Sequence, residues 1–436
     1  MKTIPKIPPA RGTIRVPPSK SATARALLLA AMSSGQTTIR NPLDSDDTRY
    51  MLEAIRRIGF EVSGTFATAL TIGERVSMSA NDVEIDVGMA GTAMRFLTGF
   101  LSFTPGRYVL KGDERMHERP IGDLVDALRT CSAEIEYLGQ EGFPPLQIRG
   151  KIVRGGFETS VDASTSSQFV SSVMMAATRL PGGITIRVES PVSQPYLDLT
   201  AAMLVSFGAH VEQLEAGGVR VSAGAMNLEE FVVEGDYSSA SYWLAAAAAS
   251  EGEVILEGLS PASVQGDAAF IDLLVQLGCS ASWETERLYF RGAKKLGGGK
   301  FDMNRMPDVV PTLAAIAPLA SAPIEISNVA NLKVKESNRL EAIASELAKL
   351  GARCETREDG LLIHPGWSDS AASIDPHGDH RIAMGFAIAG LARGNVSIED
   401  ERVVSKSYPR FWRTLDELVE SSGHAAESPQ PAPPAI

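Results

Sequence analysis

Two kinds of helix alternate along the chain when its apolar and polar positions are read in order. One kind begins with small polar residues and then stays apolar on every side, as in "SATARALLLAA" from Ser21. The other kind has a single apolar stripe and ends at a glycine or a similar stop, as in "RRIGFEV". The pattern predicts that the first kind is buried and that the second lies outside it.

Both kinds of helix recur along the whole chain at a nearly constant interval. The predicted buried helices begin near Ser21, Thr92, Ser166, Ser238, Asp308 and His380, which are 71, 74, 72, 70 and 72 residues apart. The predicted outer helices stop at Gly59, Ser132, Gly208, Gly278 and Gly351, with a weaker sixth stop at Gly423. A constant interval of this kind indicates a chain built from similar structural units.

Short strands are predicted between the helices, which makes the fold class α/β. The strand candidates are "TTIRNPL", "RYVLKG", "ITIRVES", "VILEGLS", "IEISNV" and "VSIED". An earlier strand, Gly12–Val16, is expected to pair with the C-terminal half of the chain. The sequence therefore predicts six αβ units of about 70 residues each, with two helices per unit.

Six units exceed the usual size of a single core, so the pattern favours two domains of three units each. The predicted first domain spans residues 19–234, and the second combines residues 1–18 with residues 235–424. Residues 425–436 are rich in alanine and proline and are expected to be a disordered tail.

Composition narrows the possible ligands. The 436 residues carry a net charge of −12, which argues against a general nucleic-acid or anionic-membrane binder. The three cysteines, Cys131, Cys279 and Cys354, form no CxxC pair, which indicates free thiols rather than a disulfide framework or a zinc site. The N-terminus has no apolar signal core, and no apolar run is long enough to span a membrane, so we expect a cytoplasmic protein.

Basic side chains stand at the start of the first predicted buried helix, at Lys20 and Arg25. A helix N-terminus already favours an anion, so cations there indicate an anionic ligand. If the buried helices of each domain are parallel, their polar starts gather on one face, and two such faces would enclose an anion. The alternative reading of each start is ordinary helix capping.

Eleven motifs, which run in order from about residue 11 to about residue 413, resemble the 5-enolpyruvylshikimate-3-phosphate synthase family. They are "PSKSATARALLLAA", "LDSDDTRYMLEAI", "AGTAMRFL", "RMHERPIGDLVDAL", "STSSQFVSS", "SQPYLDLT", "GDYSSASYWLAAAA", "MPDVVPT", "NLKVKESNRL", "GDHRIAMGFA" and "SKSYPRFW". The sequence departs from the family pattern at Met89, where the family commonly has Asn, and at Phe96, where it commonly has Pro.

The resemblance implies a two-lobed inside-out α/β barrel with three αβ units per lobe. It also implies transfer of the enolpyruvyl group of phosphoenolpyruvate to the 5-hydroxyl of shikimate 3-phosphate, with release of phosphate through a tetrahedral intermediate. This reaction belongs to the shikimate pathway to chorismate and aromatic amino acids. No metal or organic cofactor, no nucleic acid and no membrane partner is expected, and we expect a monomer.

The resemblance assigns roles to eighteen residues. Asp308 would accept the hydroxyl proton, and Glu336 would take part in proton transfer at the methylene carbon, with Lys20 or Lys406. Shikimate 3-phosphate would contact Lys20, Ser21, Arg25, Ser166, Ser167, Gln168, Ser193, Tyr196, Asp308, Asn331 and Lys335. Phosphoenolpyruvate would contact Lys20, Gly91, Thr92, Arg119, Gln168, Arg339, Arg381 and Lys406.

Two alternative functions remain at this point. The related UDP-N-acetylglucosamine enolpyruvyl transferases share the fold and usually carry a reactive cysteine on a mobile loop, but "KGDERMHERP" has no cysteine. A non-catalytic repeat protein that binds a phosphorylated metabolite is the second alternative.

In the resembling family the herbicide glyphosate competes with phosphoenolpyruvate, so we also expect inhibition by glyphosate, weakened by Met89 and Phe96.

Overall fold

The structure is a computed structural model that describes residues 1–77, 82–190, 192–215 and 217–427. Its α-helices within these ranges are α1 (Lys20–Met32), α2 (Asp46–Ile58), α3 (Gly91–Ser102), α4 (Glu114–His117), α5 (Gly122–Thr130), α6 (Ser167–Ala177), α7 (Gln194–Ser206), α8 (Tyr237–Ser250), α9 (Phe270–Gln276), α10 (Val310–Ile316), α11 (Arg339–Lys349), α12 (His380–Arg393) and α13 (Phe411–Glu427).

The strands form six small sheets in the described residues. They are β1 (Lys2–Ile4), β2 (Arg11–Arg15), β3 (Thr37–Arg40), β4 (Phe60–Thr65), β5 (Ala69–Arg75), β6 (Val83–Asp86), β7 (Gly106–Lys111), β8 (Glu134–Tyr137), β9 (Leu146–Gly150), β10 (Phe157–Asp162), β11 (Ile184–Glu189), β12 (His210–Leu214), β13 (Gly218–Ser222), β14 (Glu230–Val232), β15 (Glu253–Glu257), β16 (Ser280–Glu284), β17 (Arg287–Arg291), β18 (Gly299–Asp302), β19 (Ile324–Ser327), β20 (Cys354–Thr356), β21 (Leu361–Ile363), β22 (Ala372–Ile374) and β23 (Val396–Ile398). All six strand candidates of the sequence are present.

Five of the six sheets share one connection pattern. Each has four strands in orders such as β10-β11-β13-β12 and β6-β7-β9-β8, with one parallel pair followed by two antiparallel pairs. The sixth sheet has three strands in the order β1-β23-β22. Strand β2 pairs in parallel with β15, with Ile14 opposite Leu256, which confirms that the leading strand returns to the C-terminal half.

The apolar helices are buried in two separate hydrophobic cores. Helices α1, α3 and α6 contribute to one core, whose members lie between Ala22 and Val233. Helices α8, α10 and α12 contribute to the other, which combines the segment from Ile4 to Val16 with residues from Tyr237 to Leu418. In α1 every residue from Ala22 to Met32 is buried, as its uniformly apolar sequence predicts.

The predicted helix stops are confirmed where the backbone needs a left-handed residue. Gly59 follows α2 with φ of 104°, and Gly278 follows α9 with φ of 103°. A side chain is strained in this conformation, which is why glycine commonly ends a helix there. Ser132 takes the same role after α5 with φ of 68°.

Two predictions about the end of the chain are wrong, and so is one prediction about a buried helix. The stop at Gly423 does not occur, because α13 continues through it to Glu427, and alanines 425 and 426 favour a helix. The first three residues of the predicted disordered tail are therefore helical, while residues 428–436 lie outside the described residues. The helix expected from Asp308 is instead a 3-10 turn (Pro307–Val309), the short α10, and another 3-10 turn that contains Pro318.

The two cores are joined by two chain segments that hydrogen-bond to each other. Ser19 donates its backbone N–H to Glu234 at 2.8 Å, and Asp236 donates to Pro17 at 2.8 Å. These paired segments place the start of α1 next to the start of α8. In the described ranges, no helix combines the length and hydropathy needed to cross a membrane.

Candidate active site

The starts of five of the six buried helices, namely α1, α3, α6, α10 and α12, converge on one cavity that is lined from both cores. Its lining residues are Lys20, Ser21, Arg25, Asp47, Gly91, Thr92, Arg119, Ser167, Gln168, Ser193, Tyr196, Asp308, Lys335, Glu336, Arg339 and Arg381. All but three of the eighteen predicted site residues are among them, the exceptions being Ser166, Asn331 and Lys406. The cavity has six basic and three acidic side chains, so it is positive in a chain of net charge −12.

Asp308 lies at the centre of the acidic and basic side chains from the second core. Its two carboxylate oxygens accept from Arg339 at 3.0 Å and from Arg381 at 2.8 Å, and the hydroxyl of Tyr196 donates to it at 2.9 Å. Burial alone would raise the pKa of Asp308, but the charges of Arg381 and Arg339 outweigh it and hold this pKa below its usual range. Asp308 is therefore ionised.

Glu336 shares a cation with Asp308. Arg339, which is 1% exposed, donates to Glu336 at 2.9 Å and to Asp379 at 2.7 Å. Burial would raise the pKa of Glu336, but Arg339 and Arg119 lower it well below its usual range. Arg115, in the short helix α4 of the other core, donates to the backbone oxygen of Glu336 at 3.1 Å and thereby holds this segment.

A buried carboxylate that the sequence reading missed joins two predicted lysines. Asp47, in the first turn of α2, accepts from Lys20 at 3.0 Å and from Lys406 at 2.8 Å. Burial would raise the pKa of Asp47, but both lysines lower it. Lys406 also lies 3.7 Å from Glu336, although it is not among the residues that line the cavity. The charge of Lys406 still helps to lower the pKa of Glu336 in the site.

The start of α3 approaches the cavity through backbone atoms. A Cβ on Gly91 would lie 2.6 Å from both terminal nitrogens of Arg119, so a side chain there would displace that guanidinium. Met89 contributes its backbone oxygen, which accepts from Lys406 at 2.7 Å and from Arg119 at 3.4 Å. These contacts use the main chain, so they do not require the Asn of the family pattern. Gln168 donates to Thr92 at 3.1 Å.

Two predicted residues near the α6 and α11 starts do not line the cavity. Ser166 caps α6, because its hydroxyl accepts from the backbone of Gln168 at 3.2 Å. Asn331 is buried in a 3-10 segment (Ala330–Val334) that leads to Lys335. Ser193 does line the cavity, in a left-handed conformation with φ of 55° that turns the chain into α7.

Asp267 is a second buried carboxylate that the sequence reading missed. It lies in a 3-10 turn (Gly266–Ala269), accepts from the hydroxyl of Ser238, and is 5% exposed. Its other carboxylate oxygen has no hydrogen-bond partner among the described residues. Burial, reinforced by the charge of Asp308, raises the pKa of Asp267 to about 7. In sequence, an aspartate before a helix is indistinguishable from a helix cap.

The arrangement suits anionic ligands that react by proton transfer. Arginine forks match the geometry of carboxylate and phosphate oxygens, and the two buried carboxylates Asp308 and Glu336 are the available proton acceptors. Within the described ranges, no three His, Cys, Asp or Glu side chains lie close enough together to hold a metal ion.

Known proteins match this chain over nearly its whole length. The family model for EPSP synthase (3-phosphoshikimate 1-carboxyvinyltransferase) matches residues 4–415. A 3-phosphoshikimate 1-carboxyvinyltransferase of Methanoculleus marisnigri is 41% identical over 412 residues, which cover 93% of this chain and 96% of the relative. One of Vibrio cholerae is 41% identical over 413 residues, with the same shares covered.

Solved structures give the same result for the fold. The EPSP synthase of Acinetobacter baumannii superposes with a TM-score of 0.78 at 27% identity, covering 96% of this chain and 97% of that one. The enolpyruvyl transferase NikO of Streptomyces tendae superposes with a TM-score of 0.75 at 16% identity, covering 95% and 96%.

The mixed α/β fold of this chain is therefore the fold of enolpyruvyl transferases. Within that class, the chain belongs to the EPSP synthase family, as its motifs indicate.

Proposed function

We propose that this chain transfers the enolpyruvyl group of phosphoenolpyruvate to the 5-hydroxyl of shikimate 3-phosphate and releases phosphate. The observation that carries the proposal is the positive cavity, in which six basic side chains surround Asp308 and Glu336. Both substrates are polyanions, and charged hydrogen bonds to phosphate and carboxylate are the strong ones. Family membership supplies the identity of the substrates.

We also propose the finer architecture and setting that the family implies. The two hydrophobic cores support two domains, residues 19–234 and residues 1–18 with 235–424, each an inside-out barrel of three αβ units. The shared sheet pattern supports the six repeated units. The protein is proposed to act as a cytoplasmic monomer with small-molecule partners only.

The proton acceptor is proposed to be Asp308, activated by the substrate itself. A general base works best when its pKa lies near the reaction pH, yet Arg339 and Arg381 hold the pKa of Asp308 below its usual range. The proposal assigns both arginines to phosphoenolpyruvate. An anion that engages them withdraws part of their charge from Asp308, so its pKa rises when the substrate is bound. Glu336 also accepts a hydrogen bond from Arg339, so its pKa should rise in the same way when the substrate is bound.

Phosphate release with two acceptors tests the proposal. Purified protein is incubated with phosphoenolpyruvate and either shikimate 3-phosphate or UDP-N-acetylglucosamine, and released phosphate is measured. We expect release only with shikimate 3-phosphate. Release only with the UDP-sugar would assign the chain to the related transferases, and tight binding of shikimate 3-phosphate without release would make it a binding protein.

Replacing Gly91 with alanine is expected to weaken phosphoenolpyruvate binding. The added methyl group would lie 2.6 Å from both terminal nitrogens of Arg119, so the guanidinium must move. A displacement on the order of 1 Å lowers kcat/KM by up to about 10²-fold. We expect the KM for phosphoenolpyruvate and the inhibition constant of glyphosate to rise together, while the KM for shikimate 3-phosphate stays at the wild-type value. An unchanged KM for phosphoenolpyruvate would contradict the assignment of Arg119 to the phosphoenolpyruvate site.

The affinity for shikimate 3-phosphate is expected to fall in alkaline solution because of Lys335. Burial lowers the pKa of Lys335 to about 8, although Asp308 opposes this shift. A phosphate ligand prefers the charged lysine, so its dissociation constant should rise about tenfold from pH 7 to pH 9. Calorimetric titration at both pH values measures this change. Lys335→Arg is the matched control, since arginine stays charged, and an equal rise in that variant would contradict the assignment.

A further inference from the structure

Arg25 is a buried cation whose protein partners are all neutral. The side chain is 2% exposed, and its hydrogen bonds go to Thr200 at 2.8 Å, Ser171 at 3.3 Å, and the backbone oxygens of Tyr196 at 3.2 Å and Ser21 at 3.1 Å. Among the described residues, no carboxylate forms an ion pair with it. Burial therefore lowers the pKa of Arg25 to about 10.

An aromatic ring supplies the remaining electrostatic support for this cation. The guanidinium carbon of Arg25 lies 4.9 Å from the ring centroid of Phe96, within the range of a cation–π interaction. Phe96 is 1% exposed on α3, so the interaction is shielded from water. Phe96 is also the residue that replaces the proline of the family pattern, and proline has no aromatic face.

The ring leaves the hydrogen-bonding capacity of Arg25 available to a ligand. A guanidinium has five N–H groups, and the four contacts above occupy four of them. Arg25 lines the cavity, so the fifth is available to an anion there. A ring face stabilises the positive charge without accepting that N–H, whereas a carboxylate in the same place would compete with the anionic ligand.

We propose that Phe96 is a positioning residue for the acceptor substrate: its ring stabilises the buried guanidinium of Arg25 in the orientation that faces the anionic group of shikimate 3-phosphate. The proposal rests on the proposed function, which assigns Arg25 to that substrate. A side chain held in its binding orientation lowers the ordering cost of binding. Loss of the ring face should therefore weaken shikimate 3-phosphate binding by about threefold to thirtyfold.

A series of fluorinated phenylalanines at position 96 tests the ring directly. One, two and three fluorine atoms reduce the negative potential of the ring face and retain its shape. We expect the dissociation constant of shikimate 3-phosphate, measured by calorimetry without phosphoenolpyruvate, to rise stepwise along the series. The KM for phosphoenolpyruvate should stay unchanged. A purely structural role of Phe96 predicts altered melting temperatures and a constant dissociation constant, which would overturn the proposal.

Phe96→Leu extends the test to a natural side chain, with Phe100→Leu as its matched control. Phe100 lies one turn further along α3, is equally buried, and faces Arg179 instead of Arg25. We expect only Phe96→Leu to weaken shikimate 3-phosphate binding; an equal weakening in Phe100→Leu would contradict a specific role of Phe96. If the wild-type protein does not bind shikimate 3-phosphate, the proposed function fails with this inference. If it binds and the fluorinated series is flat, only the inference fails.

Discussion

The Asp308→Asn variant is expected to lose about 10² to 10⁴ of the wild-type turnover while it still binds both substrates, because an amide keeps the shape of the carboxylate and loses its basicity. In the structure the carboxylate accepts from three donors: Arg339, Arg381 and Tyr196. The amide oxygen can serve only one of the two arginines, so we also expect some loss of thermal stability. Turnover numbers at saturating substrate measure the effect.

Tyr196→Phe is the matched control for this variant. It removes the hydroxyl that donates to Asp308 at 2.9 Å and leaves the carboxylate and both arginines in place. We expect a turnover loss at least tenfold smaller than that of Asp308→Asn. If Asp308→Asn retains turnover within a fewfold of wild type, Asp308 is not the proton acceptor.

The helical repeat could be predicted from sequence because each part of it has a local signal. Apolar residues on every side of α1 and α12 predict burial, and a residue such as Gly59 marks where an outer helix ends. The same signal misled the prediction at Gly423. One glycine costs a helix only about 1 kcal/mol, so helix-forming neighbours continue α13 through it.

The residues of the candidate site were harder to predict from local sequence patterns. The pattern of helix starts predicts an anion-binding face, but the role of Asp308 or Arg119 came only from the family resemblance. Asp47 was missed because an aspartate in the first turn of a helix is also an ordinary helix-stabilising residue. Its link to Lys406 spans 359 positions along the chain, and such contacts depend on how the two cores meet.

Arg339→Met is expected to produce the largest loss of stability in the site. Arg339 donates to Asp308, Glu336 and Asp379, and methionine fills similar space without a charge. Breaking a buried ion pair by removing one partner costs about 3–5 kcal/mol, because the other charge stays buried without compensation. We expect a matching fall in the free energy of unfolding in urea at pH 7, together with loss of turnover.

The difference between wild type and Arg339→Met should shrink in acid. Wild-type Asp308 and Glu336 have lowered pKa values, so they stabilise the fold above their unfolded values near pH 4 and lose that contribution as the pH falls further. In the variant those pKa values rise, so the contribution is already missing at neutral pH. Arg353→Met, which removes an exposed partner of Glu355, is the control and should unfold like wild type at every pH. A stability difference that stays constant from pH 7 down to about pH 2, well below the unfolded values near pH 4, would show that the loss of Arg339 acts through packing, and not through the charges of Asp308 and Glu336.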